Sequence, residues 1–338
     1  MTAGVFWFWR KQIGRRVIAA VIFFVAALSP LLGFIPLYTF RYSYVADHYQ
    51  YAACIGLLAL AAAGLSHLPR VVPVVLLAGL GMLTWKQAHI YQNQMTLWRD
   101  TIAKNPDSWM AHNNLGEVFK NEGKFARAML QYQEAIRLKP DFAQGHYNLG
   151  IALFKQGRTA EAMSQFQEAI RLDSHDSRTY YNYAIALDGI GRANEAIQQY
   201  EQALYLNPDY FDARLNLGIL FSRQGKVDEA ITQFQEAVRL SPGDAEAHNN
   251  LGAVLRAKNR LAAAAEQFRE ALRINPDFAL AHSNLGAILL AQGQTNEAIR
   301  QFQEALRLDP DDAVARKNLA AALAGKSAWD KTSSPPSH

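Results

Sequence analysis

Residues 245–278 read AEAHNNLGAVLRAKNRLAAAAEQFREALRINPDF, and residues 279–312 read ALAHSNLGAILLAQGQTNEAIRQFQEALRLDPDD. The two stretches align without a gap, and one pair of residues recurs every 34 positions along the chain. The pairs are Leu115-Gly116, Leu149-Gly150, Tyr183-Ala184, Leu217-Gly218, Leu251-Gly252, Leu285-Gly286 and Leu319-Ala320. A fixed interval of this size indicates one supersecondary unit that is repeated and stacked on its neighbours.

Other residues of the interval predict that each unit is a pair of helices. An aromatic residue recurs between two alanines, as Phe268 does between Ala264 and Ala271. Small residues let two helices approach closely, and the ring can fill the space between them. A residue that tolerates a left-handed backbone is expected where the first helix of the unit ends. These residues are Gly123, Gly157, Gly191, Gly225, Asn259 and Gly293.

This pattern resembles the tetratricopeptide repeat and implies an all-α fold, a right-handed α-solenoid of helical hairpins. The repeats are predicted at 109–142, 143–176, 177–210, 211–244, 245–278 and 279–312. We expect a connecting helix or degenerate repeat at 96–108, a capping helix at 313–325 and a disordered tail at 326–338.

The third unit departs most from the pattern. Ser174 replaces the proline that precedes the unit, and Tyr183-Ala184 replaces the Leu-Gly pair. Because such arrays are stabilised by contacts between neighbours, we expect the weakest joint of the solenoid there.

Residues 1–95 are predicted to form a membrane domain of three transmembrane helices, at about 17–40, 49–68 and 70–87. The first of these segments contains no charged residue over 24 positions. As a helix it would be about 36 Å long, against a hydrocarbon core of about 30 Å. A cleavable signal peptide is the alternative, which the length of the segment and its two prolines disfavour.

The basic residues predict the orientation of this domain. Arg10, Lys11, Arg15 and Arg16 precede the first span, which places the N-terminus in the cytoplasm. Three spans then leave the repeats extracytoplasmic, and the bacterial inner membrane is the expected location. The apolar residues Val5–Trp9 look like the end of another span, so we expect the chain to be part of a longer protein.

Charge and composition exclude several classes of function. Residues 1–100 carry eight Lys and Arg against two acidic residues, whereas the rest of the chain carries 26 against 28. The net charge of +4 therefore belongs to the membrane part and does not predict binding to nucleic acid. Cys54 is the only cysteine, which excludes a disulfide framework. No catalytic motif is present, and we expect no catalytic residue, cofactor or metal in this chain.

Asparagine occupies one position of seven successive first helices, which is unusual because helix interiors disfavour it. The residues are Asn114, Asn148, Asn182, Asn216, Asn250, Asn284 and Asn318. An asparagine amide can pair with a peptide backbone without reading its side chains. We interpret this asparagine ladder as a groove for polypeptide segments. It is similar to the ladder in the repeats of O-linked N-acetylglucosamine transferases. The alternative is a purely structural role.

Four histidines also recur, but they are interpreted as packing or groove-lining residues. His112, His146, His248 and His282 occupy equivalent positions. Equivalent side chains in adjacent units lie too far apart to share one metal ion at about 2 Å.

A second candidate site lies in the loop between the first two predicted spans. Arg41, Asp47 and His48 stand there among aromatic residues. Residues 5–110 resemble the end of the membrane domain in the transmembrane and tetratricopeptide-repeat O-mannosyltransferases and their bacterial relatives. The resemblance implies that Arg41 or His48 contacts the phosphate of a lipid-linked sugar. The alternative to this role is a structural one, an interfacial ion pair between Arg41 and Asp47 that fixes the loop.

The leading hypothesis for function is a membrane-anchored scaffold whose extracytoplasmic repeats bind protein or peptide segments. The partners would be those segments and the lipid bilayer. The alternative is the C-terminal part of a lipid-linked-sugar-dependent protein O-glycosyltransferase, with the repeats presenting the acceptor protein. The acidic catalytic loop of that family is absent from this sequence, which favours the scaffold.

Overall fold

The computed structural model describes the backbone of residues 93–333 and the side chains of residues 93–325. This part of the chain consists of fourteen α-helices, and α1 (Gln94–Lys104) precedes the repeats. The first helices of the units are α2 (Trp109–Asn121), α4 (Ala143–Lys155), α6 (Ser177–Gly189), α8 (Phe211–Arg223), α10 (Ala245–Ala257), α12 (Ala279–Ala291) and α14 (Ala313–Ser333). The second helices are α3 (Phe125–Leu138), α5 (Thr159–Leu172), α7 (Ala193–Leu206), α9 (Val227–Leu240), α11 (Leu261–Ile274) and α13 (Thr295–Leu308).

The core of each hairpin is an aromatic ring that lies against the backbone of the first helix. A Cβ atom added at Gly252 would lie 2.7 Å from Cε1 of Phe268, so the glycine is what admits the ring at this distance. Phe268 is fully buried, as are Ala264 and Ala271 on either side of it. The same contact recurs for Tyr132, Phe166, Phe234 and Phe302. The predicted all-α repeat fold is confirmed.

The turn between the two helices of each unit has the predicted left-handed residue. The five glycines at this position have φ between +71° and +79°, and Asn259 has φ of +58°. In the fifth unit the backbone N–H of Asn259 donates to the Arg256 carbonyl, and the backbone N–H of Arg260 donates to the Leu255 carbonyl, both at 2.9 Å. These bonds satisfy carbonyl groups that the end of α10 would otherwise leave unpaired.

The stacking of the units is asymmetric, which defines two faces. Each second helix packs on the first helix of the next unit, and consecutive first helices also contact one another, except that α6 and α8 make at most slight contact. Consecutive second helices make at most slight contact in the part of the chain described. The first helices therefore line the inner side of the stack and the second helices its outer side.

The third unit is joined least extensively to its neighbours. Among the junctions between repeats, that of α7 with α8 involves the fewest residues, followed by that of α5 with α6. Tyr183, which replaces leucine, is buried and accepts a hydrogen bond from Gln167 of the second unit at 2.7 Å. This packing supports the expected weak joint, whose stability stays a prediction.

The two ends of the array differ from its middle. Helix α1 begins two residues before the predicted connecting segment 96–108, ends within it and has no buried residue. Helix α14 continues to Ser333, beyond the predicted capping helix 313–325 and into the predicted tail 326–338. No proline stands between its start and Pro335, and Gly325 disfavours the helix without ending it.

The predicted membrane domain lies almost wholly outside the described residues. The three segments at 17–40, 49–68 and 70–87 all precede residue 93, and they remain predictions. Among the helices that the structure describes, none combines the length and apolar character needed to cross a bilayer.

Replacing Phe234 by alanine should destabilise the fourth unit by about 3–5 kcal/mol, because the ring is almost fully buried against Gly218. Hydrogen exchange should show faster opening in α8, α9 and the units beside them, with little change in α2 and α3. An equal loss of protection along the whole array would contradict this account.

Asn259 provides a second test, directed at the turn. Asn259→Ala should lower the free energy of unfolding by about 1–2 kcal/mol, because alanine is strained at positive φ. Asn259→Gly should leave it unchanged or raise it, since glycine adopts this conformation freely. Chemical denaturation monitored by circular dichroism measures both, and equal effects of the two substitutions would show that the backbone conformation is unimportant here.

Candidate functional site

The inner side of the stack carries a cleft between two first helices. It has a volume of about 450 Å³ and is bordered by Ser283, Asn284 and Ala287 of α12 and by Val314 and Asn318 of α14. The α12 residues share one face of the helix, given the helical repeat. We call this face, with the equivalent positions of the other first helices, the inner groove.

The asparagine ladder follows the inner groove, and its amides bond to the preceding unit. Four ladder residues donate an Nδ2 hydrogen to the residue 35 positions earlier in the sequence. These bonds are Asn148 to Asn113 Oδ1 at 3.0 Å, Asn182 to the Tyr147 hydroxyl at 3.3 Å, Asn216 to the Tyr181 hydroxyl at 3.1 Å and Asn284 to Asn249 Oδ1 at 3.1 Å. The ladder therefore also joins adjacent units, a role that the sequence analysis did not predict.

The remaining ladder residues form no such bond. The residue 35 positions before Asn250 is Leu215, which offers no acceptor, whereas the residue 35 positions before Asn318 is Ser283, which has a hydroxyl. Neither Asn250 nor Asn318 forms a side-chain hydrogen bond with any residue that the structure describes. Asn114 only accepts, from the neighbouring Asn113 at 3.3 Å.

The carbonyl oxygens of the ladder are mostly left unused. Within the described part of the chain, Oδ1 of Asn182, Asn216 and Asn284 accepts no hydrogen bond. Asn114 and Asn148 are the exceptions, and Asn148, which is buried, accepts from Gln144 Nε2 at 2.8 Å. Asn182, Asn216 and Asn284 thus use a donor within the fold and leave the acceptor without a described partner.

Tyrosines are concentrated in the middle of the inner groove. The rings of Tyr181 and Tyr210 lie 4.9 Å apart between centroids, and the Arg178 guanidinium lies 5.3 Å from the centroid of Tyr147. We call Tyr147, Arg178, Tyr181 and Tyr210 the tyrosine cluster. Burial raises the pKa of all three hydroxyls, so they remain protonated at neutral pH.

Ion pairs fix two of the charged side chains near this cluster. Arg178 pairs with Asp176 at 2.9 Å, and its other nitrogen donates to Gln144 at 3.0 Å. Arg223 and Asp188 form two bonds of 2.9 Å between the third and fourth units. Because these groups are partly exposed, the pairs contribute little to stability and mainly orient the side chains.

The recurring histidines hold each unit together. Nε2 of His248 lies 3.1 Å from the Pro242 carbonyl, and Nδ1 lies 2.7 Å from Oε1 of Gln267 on the second helix. His112, His146 and His282 make equivalent contacts. Arg214 donates to the Pro208 carbonyl and to Gln233 in the same way. Since an always-charged arginine can replace the ring, the position is a structural hydrogen-bond donor, in agreement with the predicted packing role.

The second predicted site cannot be placed in this structure. Arg41, Asp47 and His48 lie outside the described residues. The lipid-phosphate role that the resemblance implied for this loop stays a prediction.

Comparison with known families identifies the repeats. Models described as tetratricopeptide repeat match residues 141–209, 181–245, 217–279 and 279–312. A model described as TPR repeat matches residues 119–157. The matched region begins after residues 5–110, so the resemblance of that segment to O-mannosyltransferases stays a prediction.

Solved structures show the same fold. The C-terminal part of a TPR repeat-containing protein from Cytophaga hutchinsonii superposes with a TM-score of 0.57 at 15% identity, over 69% of this chain and 97% of that one. PilF of Pseudomonas aeruginosa gives 0.56 at 19% identity, over 63% and 97%. YrrB, described as a TPR protein with an unusual peptide-binding site, gives 0.48 at 25% identity, over 54% and 95%.

A comparison with curated protein sequences finds no match. The family models, taken together, cover residues 119–312, which is more than half of the chain. The helical hairpins, their glycine–aromatic contacts and their left-handed turns agree with those models. This chain belongs to the tetratricopeptide-repeat proteins.

Proposed function

We propose that the inner groove binds extended polypeptide segments and that the chain is a protein-binding scaffold. The observation that carries this proposal is the set of unused ladder oxygens, Oδ1 of Asn182, Asn216 and Asn284. Each of these asparagines donates an Nδ2 hydrogen to a residue of the preceding unit, which orients its side chain. Each is only partly buried. Oriented acceptors of this kind fit the N–H groups of a peptide backbone.

The spacing of the ladder supports an extended ligand. Packed helices lie about 8–10 Å apart, and an extended chain rises about 3.3 Å per residue. One asparagine would therefore recur at about every third residue of the peptide. Because backbone groups are common to all sequences, such a groove would hold many segments, and specificity would come from the side chains between the asparagines.

The flanking surface adds apolar area to this polar strip. Leu280 and Val314 border the cleft between α12 and α14. Both side chains are large and apolar, yet they are 52% and 64% exposed. Arg256 lies at the same cleft and forms no ion pair with a described residue. Asp309 and Asp312 also border this cleft, so its charged residues do not favour an acidic ligand, and a peptide with apolar side chains would complement this end of the groove.

We also propose that the segments at 17–40, 49–68 and 70–87 anchor the scaffold in a membrane, with the repeats on the extracytoplasmic side. The support is the run of uncharged residues in each segment and the basic residues before the first one. A membrane anchor would confine the binding surface to proteins that pass close to the bilayer.

Truncating the ladder should weaken peptide binding. Replacing Asn182, Asn216 and Asn250 together by alanine removes three acceptors, each worth about 0.5–1.5 kcal/mol, so affinity should fall by about 1.5–4.5 kcal/mol if the effects add. The measurement is titration of the full chain, kept in mild detergent, with several unrelated labelled peptides of about twelve residues. All peptides should be affected together.

The hydrogen bonds provide matched controls for this experiment. Asn182→Ala and Asn216→Ala each remove a bond between units and should also lower stability slightly, whereas Asn250→Ala should not. Gln198→Ala removes an exposed amide from α7 on the outer side and should change neither property. Unchanged affinity of a correctly folded triple variant would assign the asparagines a structural role only.

Topology can be tested directly. Protease added outside intact cells or spheroplasts should digest the repeats, because three spans follow a cytoplasmic N-terminus. Immunoblotting against the repeats measures this. Protection that persists until the membrane is broken would show that the orientation, or the number of spans, is different.

A further inference from the structure

We propose that the tyrosine cluster makes the middle of the inner groove a site for polyproline II segments that keep a free N–H at every third residue. This inference rests on the proposed peptide-binding function and names the class of peptide. The cluster lies on α4 and α6 and at the start of α8, where Tyr210 precedes the helix.

Each unit of the cluster presents one donor and one acceptor. The Tyr147 hydroxyl accepts from Asn182, and the Tyr181 hydroxyl accepts from Asn216. Neither hydroxyl donates to a described residue, so its single hydrogen is available to an outside acceptor such as a peptide carbonyl. Oδ1 of the same asparagine is unused and can accept a peptide N–H.

The period of the ligand must match the period of the helices. Polyproline II has three residues per turn and rises about 3.1 Å per residue, so one turn advances about 9.3 Å. This lies within the spacing of about 8–10 Å between packed helices. A polyproline II segment would therefore present the same face to each successive unit. A β-strand, whose side chains alternate with period two, would present alternate faces to successive units.

The chemistry of proline agrees with this arrangement. Proline has no N–H, and a carbonyl is the only hydrogen-bonding group it offers. With one non-proline residue per turn, a segment would offer one N–H to each ladder oxygen and a carbonyl to each tyrosine hydroxyl. The other two residues of each turn can be prolines, because proline has no N–H that would be left without a partner.

The rings pack against other aromatic or charged side chains and remain partly exposed. The Tyr181 ring lies 6.0 Å from that of Tyr200, which is buried behind it, and 4.9 Å from that of Tyr210. The Tyr147 ring lies between Phe166, at 6.3 Å, and the Arg178 guanidinium. Fixed aromatic surfaces with a polar edge are what grooves for proline-rich segments use, and the stiff ligand loses little entropy on binding.

The rest of the inner groove lacks this combination. The position of Tyr147 and Tyr181 is taken by Asn113, Leu215, Asn249 and Ser283 in other units. The site is therefore limited to the second, third and start of the fourth unit, which corresponds to about three turns, or nine residues, of polyproline II.

The test compares three labelled nine-residue peptides by fluorescence anisotropy with the full chain in mild detergent. The first is (Ala-Pro-Pro)3, the second has the same composition with its three alanines consecutive, and the third is (Gly-Ser-Ala)3. The first peptide should bind at least about tenfold more tightly than either control. The Tyr147→Phe, Tyr181→Phe double variant keeps both rings and removes both donors, and it should weaken binding of the first peptide by about 5- to 150-fold.

Tyr205→Phe is the matched control, because this tyrosine is 80% exposed on the second helix α7 and should leave binding unchanged. Equal binding of the three peptides, or no effect of the double variant when its helicity is that of the wild type, would overturn the inference. If the unbiased peptides bind through the ladder while (Ala-Pro-Pro)3 does not, this inference fails and the proposed function stands. If no peptide binds, both fail.

Discussion

In five of the six hairpins, an aromatic ring of the second helix contacts the bare backbone of a glycine in the first helix, and this contact sets the geometry of the repeats. The Phe268 ring lies 2.7 Å from the place that a Cβ at Gly252 would take, so the glycine is what admits the ring at this distance. Once this contact fixes the hairpin, the second helix packs on the next first helix and the array grows by nearest-neighbour contacts. The third unit has Ala184 and Tyr200 at the same place, both buried, and its junctions are the least extensive between repeats. The regularity of the solenoid therefore depends on one small residue per unit.

This division of roles leaves the inner groove free for recognition. The core contains the Leu-Gly pair and the aromatic ring. The histidine or arginine that forms a hydrogen bond to the proline carbonyl lies on another part of the first helix. The ladder asparagine directly precedes the Leu-Gly pair, so it lies between the core residues and the residues of the inner groove. In four of the seven ladder residues an amide hydrogen joins two units, and in three of those four the carbonyl oxygen has no described partner, so the same residue can contribute to stability and to the proposed binding. A substitution there must be judged by both measurements, because a loss of affinity could follow from a shifted junction.

The hairpins, the core rings and the left-handed turns could all be predicted from the sequence, because each depends on contacts within one 34-residue unit. Asn259 could be placed correctly for the same reason. The bonds from Asn182 to Tyr147 and from Asn216 to Tyr181 were missed, because they depend on the register between two packed helices. An acceptor 35 positions before the asparagine was a partial signal, because Ser283 stands at that distance from Asn318 and the two side chains form no hydrogen bond. The recurring glutamine 19 positions after each histidine, as Gln267 follows His248, was a similar unused signal. The length of α14 could not be predicted from the repeat, because the 34-residue pattern is not continued beyond the start of this helix.

The central claim is that the first helices form the binding surface. Photo-cross-linking followed by mass spectrometry tests it most directly, with a bound peptide that carries a photoreactive group and the full chain as target. The account predicts cross-links on the inner positions of α4, α6 and α8, next to Asn182 and Asn216, that an excess of unlabelled peptide removes. Competed cross-links that fall on the second helices α5, α7 and α9 instead would contradict it.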